Sequence, residues 1–198
     1  MIVFLLIFVS DFNLMFFVVS LRFNLWSNIS KCWSHANKPV LVPQSNIYKS
    51  WTVYGIIGSC FRRNGFFMVA RSTNAEDFVK FLELADKKIL ARFRGTKPIL
   101  VLDNASAHCS IKKGSLAALL KYFTPLNTPS YSCRFNSIEH LWGYSKHALK
   151  CLMINQQADN DMTPEEFRIY LDQYFKKLDS AVVGRFITAN RRSLIEEL

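Results

Sequence analysis

The chain has 198 residues, of which 50% are hydrophobic and 17 are phenylalanine, and it carries a formal net charge of +10. This length allows one domain whose core needs no disulfide or metal staple. The five cysteines include no Cys-x-x-Cys pair, which argues against a disulfide framework and a zinc ribbon and fits a reducing compartment. The basic balance favours nucleic acid as a partner, then anionic membrane, over a basic protein that binds neither.

The N-terminal stretch, residues 1–17, is almost entirely apolar and resembles a signal peptide or a short membrane span. Asp11 and Asn13 interrupt it, no basic segment precedes it, and no small-residue cleavage site follows. Its longest apolar run, Met1 to Val9, is far below the roughly 20 residues of a spanning helix. We therefore expect a buried strand or a misplaced start of the reading frame, and not secretion or membrane insertion.

The next segments predict three strands in an antiparallel arrangement, followed by a helix. Runs of β-branched and aromatic residues with strand length occur at Pro39 to Pro43, Trp51 to Cys60 and Gly65 to Ala70. Asn74 is the predicted N-cap of a helix that continues to about Arg92. Apolar residues recur at helical spacing in this segment: Phe78, Phe81, Leu82, Leu84 and Ala85.

The second half of the chain predicts two strands and several helices. Four consecutive apolar residues, Ile99 to Leu102, are typical of a strand that is covered on both faces. A short helix is expected at Lys113 to Tyr122 and a brief strand at Phe123 to Pro125. A loop at Asn127 to Asn136 should lead into a helix that begins near Ser137. The apolar or small positions of that helix form one stripe: Ile138, Leu141, Trp142, Ser145, Ala148, Leu149 and Leu152.

The C-terminal segment predicts two further helices. Thr163-Pro164-Glu165-Glu166 is a capping box with proline at the first helical position, and this helix should continue to about Leu178. One more helix closes the chain. The whole pattern predicts a mixed α/β sheet flanked by helices, in a single domain with a core at about 17–152 and C-terminal helices at 153–198.

Two carboxylates are the candidates for chemistry. Asp103 follows the buried strand directly, where the backbone leaves the sheet, although an aspartate there is more often a turn former or a helix cap. Glu139 lies in the first turn of the predicted helix, where an acid also stabilises the helix dipole. Lys146 and Lys150 follow Glu139 at seven and eleven positions, on one helical ridge that suits a phosphodiester.

The two acids lie in motifs that resemble those of DDE transposases of the Tc/mariner superfamily. The first is Leu102-Asp103-Asn104-Ala105-Ser106-Ala107-His108, and the second is Asn136-Ser137-Ile138-Glu139-His140-Leu141-Trp142 with Lys146 after it. The spacing is similar too, because 35 residues separate the two acids (139 − 103 − 1). The resemblance covers roughly Phe23 to Lys150 and implies an RNase H-like fold.

The first acid of the family's triad has no clear equivalent in this chain. Phe23-Asn24-Leu25 and Trp33-Ser34 match the segments that follow this acid in the family, but counting back four positions from Phe23 lands on Val19. The acid upstream is Asp11, which would require a shift of register within the first strand. Either Asp11 serves as the third ligand or the first ligand has been lost.

The resemblance implies metal-dependent cleavage and strand transfer of DNA by a transposase from a mobile element, with Mg²⁺ or Mn²⁺ at a two-metal site. The implied metal ligands and catalytic residues are Asp103, Glu139 and Asp11. The implied nucleic-acid contacts are Lys146, Lys150, Asn104 and His108. The alternatives are a non-catalytic or domesticated DNA-binding remnant and a membrane-associated basic protein.

The expected partners are transposon ends and target DNA, without stable membrane association, and a homodimer is left open. The family's N-terminal helix-turn-helix region is expected to be absent, because the chain has no room for it. The expected location is the nucleus in a eukaryote and the cytoplasm otherwise, without secretion. Neither His108 nor His140 has the spacing of a zinc site, and Trp33, Trp51 and Trp142 are expected to pack in the core and not to stack on bases.

Overall fold

The structure is a computed structural model, and it describes residues 15–24, 50–58, 65–89, 97–102, 123–129, 136–156 and 162–196. The strands are β1 (Met15–Asn24), β2 (Ser50–Ile57), β3 (Gly65–Ala70), β4 (Ile99–Leu102) and β5 (Thr124–Asn127). The helices are α1 (Ala75–Ile89), α2 (Ser137–Gln156), α3 (Pro164–Lys177) and α4 (Ser180–Glu196). The predicted strand at Pro39 to Pro43 and the predicted helix at Lys113 to Tyr122 lie outside the described residues.

The five strands form one mixed sheet in the order β3-β2-β1-β4-β5. β2 is antiparallel to both of its neighbours, while β4 is parallel to β1 and to β5. The predicted antiparallel pairing of the segments after Trp51 and Gly65 is therefore confirmed as β2 and β3. The other antiparallel neighbour of β2 is β1, which includes the end of the apolar N-terminal stretch. β5 is the last strand in this order, which fits its Pro125, because proline is tolerated on edge strands.

Side chains of β1 alternate between two cores, as the period of a strand requires. Phe17, Val19 and Phe23 belong to the core beneath α2, α3 and α4, whereas Phe16 and Val18 belong to the core beneath α1. The sheet is thus covered on both faces, and the predicted α/β class is confirmed. No helix among the described residues has the length and apolar character needed to cross a membrane.

The helix ends follow local capping signals. The backbone N–H of Asp77 donates to Oδ1 of Asn74 at 2.6 Å, so Asn74 caps α1 as predicted. α1 ends at Ile89, before the expected Arg92. The prediction that Leu84 lies on the buried stripe was wrong: it is 38% exposed, because the core of α1 is formed by Phe78, Phe81, Leu82 and Ala85.

The capping box of α3 is formed as predicted. The Thr163 hydroxyl accepts a hydrogen bond from the backbone N–H of Glu166, and the Glu166 carboxylate accepts one from the backbone N–H of Thr163. The Thr163 hydroxyl also donates to Oε2 of Glu166 at 2.7 Å, and this hydrogen bond, together with the one from the Thr163 backbone, lowers the pKa of the Glu166 carboxyl. The helix ends at Lys177, one residue before the predicted end.

Tyr54 ties the sheet to the start of α1. Its ring is buried, and its hydroxyl accepts a hydrogen bond from the backbone N–H of Asn74 at 3.1 Å. Burial raises the pKa of this hydroxyl, which keeps it protonated and able to donate to a backbone carbonyl of the same turn. The cap of α1 is therefore held against β2.

Candidate metal centre and its basic groove

The carboxyl end of β4 lies beside the middle of β1. Leu102, the last residue of β4, pairs with Val18, and Asp103 follows Leu102 in the sequence. Val19 is consequently the first residue of β1 beyond its pairing with β4, and its side chain is 3% exposed. The strand register and the count back from Phe23 reach the same residue. The position of β1 directly after the pairing with the last residue of β4 thus carries an apolar side chain that cannot bind a metal.

The start of α2 packs over the same region of the sheet. Val19 pairs with Gly55 of β2, and Ile138 and Trp142 pack directly onto Gly55. A Cβ atom at Gly55 would lie 2.8 Å from the Trp142 ring and 3.0 Å from Cδ1 of Ile138. Glycine in a strand often marks such a close approach. The absence of a side chain at Gly55 lets the first turn of α2 lie close to the sheet, next to Val19.

We expect Gly55→Ala to destabilise the fold by about 1–3 kcal/mol, because the new methyl group meets the indole of Trp142. The matched control is Gly143→Ala, where the described residues place no atom within 4 Å of the added Cβ apart from the adjacent backbone of α2 itself. Because alanine is the better helix former, this control should stabilise by about 0.5–1 kcal/mol. Urea unfolding of both variants measures the difference, and equal effects would contradict the close packing.

Glu139 occupies the first turn of α2, as predicted. Its backbone N–H donates to the carbonyl of Asn136 at 3.0 Å, and its side chain is partly buried. The preceding residues Asn136 and Ser137 are buried, so the helix start is anchored in the protein. Glu139 follows Ile138, which touches Gly55, and this places it near the row formed by Gly55, Val19 and the end of β4.

The other predicted ligands and contacts, Asp11, Asp103, Asn104 and His108, lie outside the described residues. Among the described residues, no group of three or more His, Cys, Asp or Glu could hold a metal ion. Glu139 supplies the hard oxygen donor that Mg²⁺ and Mn²⁺ prefer, whereas Val19 supplies none. In the described part of the site, Glu139 of α2 can therefore bind a metal ion, whereas β1 supplies no carboxylate ligand.

Lys146 and Lys150 line a groove of about 400 Å³ along α2. Gly143 lines it as well, which confirms that these three residues share one ridge of the helix. The sequence patterns did not point to the two other basic residues that line the groove, His147 and Arg22. His147 follows Lys146 directly and could have been found from the helix, but only the tertiary structure brings the carboxyl end of β1 to α2.

Trp142 and Trp51 have the packing roles expected of them. Trp142 is 1% exposed and belongs to the core. The Trp51 Nε1–H donates to the carbonyl of Pro164 at 2.9 Å, which joins β2 to α3. His140 is exposed, and Trp33 lies outside the described residues.

Comparisons with known proteins show the family and the fold. A family model described as DDE superfamily endonuclease matches residues 17–179. No curated protein matches the sequence significantly. The catalytic domain of Mos1 mariner transposase is similar in structure, with a TM-score of 0.62 and 15% identity, and the match covers 97% of this chain and 85% of that one.

Two larger Mos1 structures are also similar. The paired-end complex with the left transposon end gives a TM-score of 0.69 at 16% identity and covers 97% of this chain. The pre-cleavage Mos1 transpososome gives 0.72 at 13% identity and covers 98% of this chain. The chain spans 57% and 58% of the length of these two relatives. The fold is thus RNase H-like, and because the family model covers most of its length, the chain belongs to the DDE superfamily endonucleases.

Proposed function

We propose that the chain cleaves DNA and transfers its strands in a metal-dependent reaction at the carboxyl end of β4, with Asp103 and Glu139 as metal ligands. One observation supports this proposal most directly. The end of β4, Val19 of β1 and Gly55 of β2 lie side by side in the sheet, and the first turn of α2 packs onto Gly55. Transposon ends and target DNA are the proposed substrates. The proposed location is the nucleus in a eukaryote and the cytoplasm otherwise.

The proposed DNA contacts are Asn104 and His108, which follow Asp103, and Lys146 and Lys150 on α2. Support comes from the groove beside Lys146 and from the net charge of +10. Structures of Mos1 were determined with Mn and with Mg, and others contain transposon-end DNA. When bound, Mg²⁺ or Mn²⁺ activates a water or hydroxyl nucleophile and stabilises the leaving oxygen. A homodimer stays a prediction.

A second candidate function is a DNA-binding domain that no longer cleaves. The buried Val19 favours it, because two carboxylates hold a pair of hard cations less tightly than three. Asp11 is the rival third ligand, and its role stays a prediction. Both candidate functions include DNA binding. They differ in whether β1 or the segment before it supplies a third oxygen ligand for the metal ions.

Binding of Mn²⁺, measured by calorimetry, tests the metal site. We expect Glu139→Gln to weaken Mn²⁺ binding at least about tenfold, because a ligand is lost while the side-chain shape is kept. The matched control is Glu83→Gln on the exposed face of α1, which should leave Mn²⁺ affinity unchanged. Equal Mn²⁺ affinity in Glu139→Gln and the wild type would contradict the proposed site.

The variant Asp11→Asn separates the two candidates. If Val19 marks a lost ligand, Asp11→Asn should bind Mn²⁺ like the wild type. If Asp11 is the third ligand, this variant should lose as much Mn²⁺ affinity as Glu139→Gln, and the wild type should nick DNA in the presence of Mn²⁺.

A further inference from the structure

His147 and Cys151 form a pair on the exposed surface of α2, one helical turn apart. Residues four positions apart in a helix lie next to each other on one face, so both side chains can reach one point. The Nε2 atom of His147 lies 3.7 Å from the Sγ atom of Cys151, whose thiol is free of any disulfide. The contact therefore joins an imidazole and a thiol, both of which are common ligands of zinc.

The distance between these two atoms suits a metal chelate. Zinc binds a cysteine sulfur at about 2.3 Å and an imidazole nitrogen at about 2.0–2.1 Å, with tetrahedral angles. The sulfur and the nitrogen of two such ligands are then about 3.6 Å apart. The observed 3.7 Å is close to this value. A zinc ion can thus be bound by both side chains with little movement of either.

The pair differs in chemistry and in position from the carboxylates of the proposed catalytic site. Thiolate and imidazole select zinc and similar transition-metal ions, whereas Mg²⁺ prefers oxygen ligands. His147 and Cys151 follow Glu139 in α2 by eight and twelve positions. With a rise of 1.5 Å per residue, they lie about 12 and 18 Å beyond it along the helix axis. One ion cannot therefore be bound by Glu139 and by this pair.

The pair is open to solvent. Both side chains are exposed, and His147 lines the groove of about 400 Å³ beside α2, which gives an ion a path of entry. The described part of the chain contains no group of three His, Cys, Asp or Glu residues that could hold a metal ion. The pair thus supplies two ligands of a tetrahedral ion, and water can take the other two. Such a site is open, unlike a structural zinc site with four protein ligands.

We infer that His147 and Cys151 form a binding site for Zn²⁺ or a similar transition-metal ion, separate from the proposed catalytic metal centre. The thiol releases its proton to solvent, and the sulfur and Nε2 each donate an electron pair to the ion. A divalent ion bound to one thiolate and one neutral imidazole adds one net positive charge to this part of α2. The inference is independent of the proposed function, because neither residue is a ligand of the catalytic site.

Titration with Co²⁺ in the presence of excess Mg²⁺ and a phosphine reductant tests this site. Co²⁺ is a spectroscopic substitute for Zn²⁺, and a bond between cobalt and a thiolate gives a charge-transfer band in the near ultraviolet. We expect the wild type to develop this band and to lose it when Zn²⁺ is added, because thiolate ligands select zinc. Excess Mg²⁺ should leave the band unchanged, since Mg²⁺ binds oxygen ligands.

Variants of the pair identify the ligands. Cys151→Ser should remove the charge-transfer band, and His147→Ala should lower Co²⁺ affinity at least about tenfold, because one of two protein ligands is lost. The matched control is His140→Ala. It removes an exposed imidazole of the same helix that has Tyr144, and not a cysteine, four positions later. This control should bind Co²⁺ like the wild type. Circular dichroism melting confirms that each variant is folded.

The inference is overturned if the wild type gives no charge-transfer band, or if Cys151→Ser keeps the band, since another cysteine would then be the ligand. Equal Co²⁺ affinity in His147→Ala and the wild type also overturns it, because the thiol alone would then bind the ion. Glu139→Gln should keep the wild-type band. A failure of the proposed catalytic metal site is thus distinguishable from a failure of this site.

Discussion

Val19→Asp is expected to raise the rate of Mn²⁺- or Mg²⁺-dependent DNA nicking by about 10³-fold over the wild type. The substitution places a carboxylate on β1 directly after the residue that pairs with the end of β4. Completing a set of hard oxygen ligands is worth several kcal/mol of charge stabilisation in the transition state, and about 4 kcal/mol corresponds to this factor. Relaxation of supercoiled plasmid over time measures it.

A second measurement keeps this prediction independent of activity. Because Val19 is buried, a carboxylate there should destabilise the protein in EDTA. Metal at about 100 times its dissociation constant should then raise the melting temperature by about 5–10 °C, since a ligand that binds only the folded state stabilises it by about 2.7 kcal/mol. The wild type should show a smaller rise.

The matched control is Leu21→Asp, two residues along β1 on the same face. It introduces the same charge farther from the end of β4 and should gain neither nicking nor metal-dependent stability. The double variant Val19→Asp/Glu139→Gln should lose the gain, because Glu139 is the proposed ligand on α2. A melting curve of Val19→Asp that does not respond to metal would contradict the placement of Val19 at the site.

Trp142→Ala is expected to lower the free energy of unfolding by about 3–5 kcal/mol and the melting temperature by about 10 °C. Trp142 is 1% exposed and joins α2, the sheet and α3. Its ring centroid lies 6.1 Å from that of Phe23, 5.9 Å from Phe67 and 5.6 Å from Phe175, with edge-on geometry in each pair. Its loss leaves a cavity beneath the first turns of α2.

Trp142→Phe is the control for this effect. The buried Nε1 of Trp142 has no hydrogen-bond partner within the described part of the chain, so its removal takes away an unsatisfied donor. We expect this variant to cost about 1–2 kcal/mol, because most of the ring contacts remain. Urea unfolding compares the two variants. If Trp142→Phe were as costly as Trp142→Ala, the ring contacts that phenylalanine keeps would not account for the stabilisation.

Much of the local structure could be predicted from the sequence. The bounds of β4, the start of α2 at Ser137, the cap at Asn74 and the capping box of α3 all agree with the structure. These features depend on residues within a few positions of each other, through side-chain periodicity and side-chain-to-backbone hydrogen bonds. The shared ridge of Gly143, Lys146 and Lys150 follows from helical periodicity in the same way.

Local sequence patterns predict burial and strand ends less reliably where tertiary packing determines them. Leu84 has the spacing of the buried stripe of α1, yet it is exposed because the helix meets the sheet over a narrower face. β5 begins and ends later than the short apolar run predicts, since its pairing with β4 sets its bounds. The strand and helix propensities of single residues do not determine how α1 packs on the sheet or how β5 pairs with β4.

The sequence by itself determined which residues belong to the candidate site: Asp103 after a buried strand, Glu139 at a helix start, and Val19 by its distance from Phe23. Only the tertiary structure decided what surrounds them. The register of β1 against β4 puts Val19 beside the strand end. Gly55 leaves room for the ring of Trp142, and Arg22 of β1 lines the same groove as Lys146 of α2. These contacts join segments far apart in the chain, so they are set by sheet pairing and core packing and have no periodic signal in the sequence.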